Sequence, residues 1–180
     1  MSFSKPTAGV VLALAVLLFS VPSASAAGAC SGANATGSQA SERVLLRATL
    51  CVLNKARARH NLRPLQLNGK LSTAATRHSR AMVRRRFFSH DSPDGASFVD
   101  RIRATGYLSG ARGWYVGENI AYGSGDRSSP RSIGAAWMNS PPHRANILRA
   151  SFREIGIGLA SGTPVSVRGA TYTTDFGQRS

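Results

Sequence analysis

The first half of the chain has hydrophobic residues at the spacing of amphipathic helices. One stripe predicts a helix that starts after an N-cap at Ser41 and ends near Asn61 and Pro64. A second stripe lies in LSTAATRHSRAM, residues 71–82, where side chains recur three or four residues apart on one face. Its members are Leu71, Ala74, Ala75, His78 and Met82. His78 is therefore either a hydrogen-bonded core histidine or a residue that lines a cavity.

Shorter helices are predicted in the second half. Residues 97–104 are predicted to form one, with Gly106 as the glycine that stops it, and residues 130–139 are predicted to form another. SPPHRANIL, residues 140–148, predicts a stiff turn at its two prolines followed by a third short helix with His143 near its opening. A histidine on such a turn serves either as a structural hydrogen-bonding residue or as a ligand.

The strands are predicted in the second half of the chain. Residues 116–122 form one strand, and residues 154–160 and 170–177 are two alternating runs that predict a β-hairpin, to which Val165 and Val167 could belong. Helices first and strands mainly later predict an α+β fold with helices packed on an antiparallel sheet. A chain of 180 residues with 42% hydrophobic content fits one domain with its own core.

The N-terminus has the form of a secretion signal. Lys5 precedes an apolar run over residues 9–21, and small residues follow it up to Ala26. We predict a signal peptide over residues 1–26, a flexible leader over 27–40 and a domain over 41–180. The apolar run is short for a membrane span, so we expect a secreted chain with no transmembrane segment after cleavage; an uncleaved anchor is the alternative.

The two cysteines, Cys30 and Cys51, both follow the predicted cleavage site. In an exported protein a pair of cysteines predicts a disulfide, which would tie the leader to the first helix. Two unpaired buried thiols are the alternative. A disulfide would leave no thiol for cysteine-protease chemistry.

Basic residues outnumber acidic residues by 23 to 8, which gives a formal charge of +15. This excess favours anionic partners, which for an exported protein means envelope polymers or phospholipid surfaces before nucleic acid. The densest cluster, residues 84–86, is either a contact patch or a solvated helix end that suits the helix dipole. Nucleic-acid binding rests on charge alone, because neither a recognition fold nor spaced stacking aromatics accompany it.

Three stretches place chemically active side chains among turn residues. They are FFSHDSPDG around His90, YVGENIAYG around Glu118 and SPPHRANIL around His143. Two imidazoles and a carboxylate are ligands that zinc accepts, with a position left open for water. The spacing matches no HExxH, CxxC, GxSxG or phosphate-loop motif. Glu118 has a structural alternative, since a strand carboxylate between Gly117 and Asn119 can simply accept backbone N–H bonds.

Taken together, the motifs resemble the CAP superfamily of secreted SCP/PR1-like domains in its bacterial form. The matching stretches, between about Cys51 and Gly177, are LNKARARHNLRPLQLN, LSTAATRHSRAM, FSH, GENIAYG, W-M-N-SPPHRANIL, FREIGIG and TTDFG. Their number and order make the resemblance specific. It implies a three-layer α-β-α sandwich with a central antiparallel sheet and a surface cleft.

The resemblance also implies a cleft lined by two histidines and two glutamates that holds a divalent cation in some members. His90, Glu118 and His143 match three of these positions. The second glutamate follows the tryptophan as W-x-x-E in many members, but here Ser140 stands at that position after Trp137. A hydroxyl replaces a carboxylate poorly, so we expect zinc binding to be weak or absent.

Two functions follow from these observations. The first is an exported binding module whose cleft takes a lipid, envelope or protein ligand and holds a cation weakly. The second is a metal-assisted extracellular hydrolase in which His90, Glu118 and His143 hold an activated water, or in which Glu118 and a histidine act as base and acid. The missing carboxylate at Ser140 favours the binding module.

Overall fold

The computed structural model describes residue 1 and residues 29–180. The predicted signal peptide and its cleavage site lie outside the residues that are described from 29 onward. In chain order the elements are α1 (Glu42–Ala58), β1 (Gln66–Leu67), α2 (Gly69–Arg85), α3 (Phe98–Ala104), β2 (Trp114–Ser124), a 3-10 turn (Gly125–Ser128), α4 (Pro130–Asn139), α5 (Pro141–Ile147), β3 (Glu154–Ser161) and β4 (Gly169–Arg179).

The helices α2 and α3 begin at residues whose side chains accept hydrogen bonds from free N–H groups of the first turn. Asn68 accepts the N–H of Lys70 at 2.9 Å and so caps α2. Ser97 and Asp100 form a capping box at the start of α3. Ser41 lies at the N-cap of α1 as predicted, but its side chain makes no capping hydrogen bond.

The three long strands form an antiparallel arrangement within a sheet of order β1-β3-β4-β2. β4 pairs with both β2 and β3, and the predicted β-hairpin is confirmed as β3 and β4. Val165 and Val167 lie exposed in the loop between them rather than in either strand. The two-residue strand β1, which the pattern did not predict, pairs parallel to β3. A strand of two residues is too short to show an alternating pattern.

Helices cover both faces of this sheet. On one face α1, α4 and α5 pack around Trp137 and the inward side chains Ile155, Ile157 and Phe176. On the other face α2 lies directly against β3 because Gly156 and Gly158 carry no side chain. The α+β fold and the three-layer α-β-α sandwich are therefore confirmed.

The leader is attached to the domain by more than its cysteine. The Cys30–Cys51 disulfide is present, as predicted. In addition Ala33 is buried, its carbonyl accepts the N–H of Arg131 at 2.8 Å, and Asn34 accepts a hydrogen bond from the Arg131 side chain at 2.6 Å. Within residues 29–40, Ala33 and Asn34 therefore contact the start of α4 in addition to the link through Cys30. No helix within residues 29–180 has the length and apolar character needed to cross a bilayer.

Candidate functional site

The candidate site lies at β2, which forms one edge of the sheet. Glu118 is in the middle of β2 with its side chain 1% exposed. His90 donates from Nδ1 to one carboxylate oxygen at 2.8 Å, and Arg101 donates from Nη2 to the other at 2.7 Å. His90 comes from the segment after α2 and Arg101 comes from α3. Two parts of one helical layer therefore converge on a single carboxylate, and both of its oxygens have a partner.

His143 approaches the same strand from the opposite helical layer. It is the third residue of α5, and its carbonyl accepts the side-chain amide of Asn119 at 3.0 Å. One turn later Asn146 donates to the Glu118 carbonyl at 3.1 Å and to the Asn119 side chain at 2.9 Å. These bonds hold α5 along β2 and leave the His143 ring half-buried. The bond from Asn146 also occupies the backbone carbonyl of Glu118 in the edge strand, which limits pairing with another strand at this position.

A buried arginine fixes the far end of α5. Arg57 of α1 is fully buried, and its guanidinium donates to the carbonyls of Ile147 at 2.7 Å, Arg149 at 3.1 Å and Phe152 at 3.3 Å. Its Nε donates to the carbonyl of Arg63 at 2.8 Å. The planar fork of arginine suits several acceptors at once. Arg57 therefore holds the segment that follows α5 and indirectly the placement of its histidine.

Two acids share the interior of the site but differ in charge. Burial opposes ionisation of Glu118, but the hydrogen bond from His90 and the charge of Arg101 outweigh it, so the pKa of Glu118 lies below its usual value. Asp175 of β4 is directly opposite Glu118 in the strand pairing and is also buried. Burial and the charge of Glu118 raise the pKa of Asp175 well above its usual value. Glu118 thus carries the negative charge of the pair, and Asp175 retains its proton more readily.

Two histidines beside these acids favour the neutral form. Burial lowers the pKa of His143, and the neighbouring His90 lowers it further. Burial also lowers the pKa of His78, whose Nε2 donates to the carbonyl of Ser89 at 2.9 Å. Nδ1 of His78 has no hydrogen-bond partner among the described residues. His78 is therefore buried, as the helical stripe predicted, although only one of its nitrogens is paired.

The structure brings His90 and Glu118 into contact and places His143 beside them, whereas Ser140 has a different environment. Ser140 lies at the junction of α4 and α5, where its side chain makes no capping hydrogen bond. No contact of its hydroxyl with His90, Glu118 or His143 is seen in the described part of the chain. Sequence reasoning missed Arg101 and Asp175, since neither an arginine in a short helix that also carries Arg103 nor a single acid in a strand has a distinguishing pattern. The pairing of β2 with β4 is needed to place Asp175 against Glu118.

The residues as arranged do not fit a cation held by His90, Glu118 and His143. Among residues 29–180 no group of three His, Cys, Asp or Glu side chains has the geometry of a metal site. Both oxygens of Glu118 are engaged, one of them by a guanidinium at 2.7 Å. A cation would have to displace Arg101 or His90 and would face the positive charge of Arg101. Such displacement would weaken cation binding, as the replacement of a carboxylate by Ser140 would.

Comparisons with known proteins match this fold. The profile described as "CAP: Cysteine-rich secretory protein family" matches residues 50–175. YkwD of Bacillus subtilis is 34% identical over 123 residues, which is 68% of this chain and 43% of YkwD. The membrane protein YlbC of the same organism is 31% identical over 110 residues, which is 61% of this chain and 30% of YlbC. The chain thus spans less than half the length of these curated relatives.

Solved structures show the same architecture. An extracellular protein containing a SCP domain from Bacillus anthracis is 30% identical, with a TM-score of 0.59, over 75% of this chain and 40% of that one. An outer surface protein of Borrelia burgdorferi has a TM-score of 0.58 at 21% identity, over 71% of this chain and 87% of that one, which shows a shared fold. With the profile match across most of the domain, these findings show that the chain belongs to the CAP, or cysteine-rich secretory protein, family.

Proposed function

We propose that this protein is an exported binding module that associates with anionic envelope polymers or lipid surfaces, and whose cleft holds a polar group of a lipid or protein ligand. One observation carries the proposal: Glu118 is buried with both oxygens engaged, so it organises the cleft instead of facing a substrate. The side chain of His90 remains 47% exposed, and the ring of His143 is half-buried beside it. These imidazoles are the polar groups that a ligand would contact.

The hydrolase alternative is less well supported by the same geometry. A general base is most effective when its pKa lies near the working pH. The pKa of Glu118 is held below its usual value, so the carboxylate is a weak base and would have to give up a hydrogen bond to accept a proton. Since a cation does not fit the three residues as arranged, no metal-activated water is invoked. Binding therefore accounts for the cleft without further rearrangement.

Export and an anionic partner are supported by separate observations. The N-terminal residues have the order of a signal peptide, and one similar structure belongs to an extracellular protein. The formal charge of +15 produces a positive field that attracts polyanions and anionic surfaces. Arginine supplies 20 of the 23 basic residues, and its guanidinium binds carboxylate and phosphate in a bidentate manner.

Co-sedimentation tests this proposal. We expect the purified chain to sediment with isolated cell-envelope material or with vesicles containing phosphatidylglycerol at 0.1 M salt, and to be released at 1 M salt. The screening length falls from about 10 Å to about 3 Å over this range, so electrostatic binding weakens. Vesicles of phosphatidylcholine alone serve as the neutral control. Absence of binding to both anionic materials at 0.1 M salt, or hydrolysis of casein or of ester substrates that His143→Ala abolishes, would contradict the proposal.

A further inference from the structure

A basic groove lies beside the Glu118 site and is formed by α2 together with the segment from Ser92 to Arg101. It has a volume of about 500 Å³. Five arginines and one acid are among its lining residues: Arg77, Arg80, Arg84, Arg85, Arg101 and Asp94. Burial keeps the pKa of His78, which also lines the groove, below its usual value, so this ring adds little positive charge. Because Glu118 pairs with Arg101 at 2.7 Å, the groove has a local excess of three positive charges.

The arginines of α2 form a row along the groove. Arg77, Arg80 and Arg84 are three and four residues apart, so they project from one side of the helix. At a rise of about 1.5 Å per residue the row spans about 10 Å along the helix axis. Arg80 and Arg84 repel each other at this spacing, which opposes helix formation. A ligand with several negative charges in a line would offset this repulsion by pairing with each arginine.

Little within the protein neutralises this row. Arg85 is 3.4 Å from Asp94 and Arg80 is 4.0 Å from Glu42, and both pairs are solvent-exposed. Exposed pairs of this kind are weak. Arg77 and Arg84 have no acidic partner among the described residues. Their guanidinium groups are therefore available for a ligand.

One arginine at the inner side of the groove is already fixed in position. Arg101 donates to the carbonyl of Ala96 at 3.1 Å and to the hydroxyl of Ser92 at 3.3 Å, in addition to Glu118. Its side chain is 11% exposed, and its Nε has no partner within the part of the chain that the structure describes. A fixed guanidinium loses little conformational entropy when it binds an anion. Arg101 also connects the groove to the cleft, because it contacts Glu118.

We infer that this groove binds a linear, phosphate-bearing polymer along α2. This inference rests on the proposed function and locates the binding site of the anionic partner. The row is longer than one phosphate group, which favours a polymer over free phosphate. None of the lining residues carries a phenyl, phenol or indole ring, so the groove lacks the stacking platform of single-stranded nucleic-acid sites. None of the exposed large hydrophobic side chains of the described chain lines it either, so it lacks the apolar anchor of a membrane-inserting surface.

The test compares two double variants that lose the same charge. Arg77→Gln/Arg84→Gln removes two groove arginines that have no acidic partner among the described residues, and Arg112→Gln/Arg127→Gln removes two exposed arginines outside the groove. The probes are inorganic polyphosphate, orthophosphate and phosphatidylglycerol vesicles, measured at several salt concentrations. We expect the groove variant to lose at least about tenfold in polyphosphate affinity with a smaller salt dependence, and the control to lose less than about threefold. Orthophosphate should bind at least about a hundredfold more weakly than polyphosphate to the unchanged protein, because it releases fewer counterions.

Each other outcome has a defined meaning. Equal losses in the two double variants would overturn the groove while leaving electrostatic binding by the whole surface, and so the proposed function, intact. A groove variant that weakens vesicle binding as much as polyphosphate binding would assign the groove to membranes and overturn the polymer. A protein that binds no anionic material would overturn the proposed function as well. Unchanged thermal melting of both variants, which alter exposed side chains only, serves as the folding control.

Discussion

At the scale of single residues, two neighbouring buried acids of the candidate site differ in pKa: that of Glu118 is lowered and that of Asp175 is raised. Glu118 remains charged because His90 and Arg101 donate to it, whereas burial and the charge of Glu118 raise the pKa of Asp175 more than the charge of Arg101 lowers it. One oxygen of Asp175 has no hydrogen-bond partner in the described part of the chain. Asp175 therefore destabilises the folded state whenever it ionises.

Asp175→Asn tests this difference in pKa because asparagine resembles the protonated acid. Folding raises the pKa of Asp175 above its unfolded value of about 3.9. The protonated acid therefore stabilises the folded state below about pH 3.9, and this stabilisation is lost as the pH rises through the pKa of the folded state. Asparagine does not ionise, so the stability of the variant does not fall in this way as the pH rises. We therefore expect the stability of Asp175→Asn relative to the unchanged protein to increase from about pH 4 upward, by at most about 1.4 kcal/mol per pH unit.

Urea unfolding at a series of pH values measures this difference. Asp126→Asn, the same substitution at an exposed site, is the matched control. A relative stability of Asp175→Asn that does not increase between about pH 4 and pH 7 would contradict the assignment, because a carboxyl group whose pKa folding lowers changes stability only below about pH 4.

At the scale of elements, the position of α2 on the sheet decides how the residues around Glu118 are arranged. The backbone of α2 at Leu71 and Ala75 lies directly on Gly156 and Gly158 of β3. This close approach places His78 at the inner side of the groove and sets where the chain leaves α2 towards His90. The glycines of EIGIG are thus required by packing, since their φ values are not positive and no turn lies there.

Gly158→Ala is expected to destabilise the fold and to disturb the cleft together. The added methyl group would meet the backbone of Ala75 and Thr76, which cannot move without shifting α2. Overpacking of this kind costs about 1–3 kcal/mol. The change in unfolding free energy, with the chemical shifts of the His90 and His143 rings, provides the measurement.

Gly69→Ala is the control for this substitution. Gly69 begins α2, and a methyl group there would meet nothing within 4 Å. Because alanine is the better helix former, Gly69→Ala should be neutral or slightly stabilising. If Gly158→Ala were as stable as Gly69→Ala, α2 would not be held against β3 as the structure indicates.

At the scale of the whole molecule, two helical layers meet around the edge of the sheet, and the leader secures one of them. The disulfide joins Cys30 to Cys51 of α1, and Asn34 of the leader contacts Arg131 of α4. α1 carries Arg57, which holds the end of α5. The leader is therefore connected to the layer that supplies His143, although it is far from His143 in sequence.

Replacing Cys30 and Cys51 together by serine tests how much this connection stabilises the molecule. The disulfide closes a loop with a sequence separation of 21. The entropy of closing a loop of this size corresponds to about 3 kcal/mol. We expect the double variant to lose about this amount by urea unfolding while keeping a folded circular dichroism spectrum. Reduction of the unchanged protein should cause a comparable loss, and a loss below about 1 kcal/mol would show that the packed turns of residues 29–40 suffice.

The order of helices and strands was determined by the sequence itself, because it depends on local periodicity and on caps. The stripes of α1 and α2, the prolines before α5 and the alternation in β3 and β4 each lie within a few residues of the element they specify. The disulfide also followed, since the chain has only two cysteines. The order of several motifs was enough to indicate the family and with it the candidate residues His90, Glu118 and His143.

The partners of those residues were decided only by the tertiary structure. Arg101 reaches Glu118 across 17 positions of the chain, and Asp175 reaches it through the register of β2 with β4. Whether Glu118 serves as a metal ligand, a base or a fixed charge depends on these contacts, since burial and neighbouring charges set the pKa of a carboxylate. The basic groove has the same origin. Its arginines are scattered from residue 77 to residue 101, and only the packing of α2 beside the segment from Ser92 to Arg101 makes them line one groove.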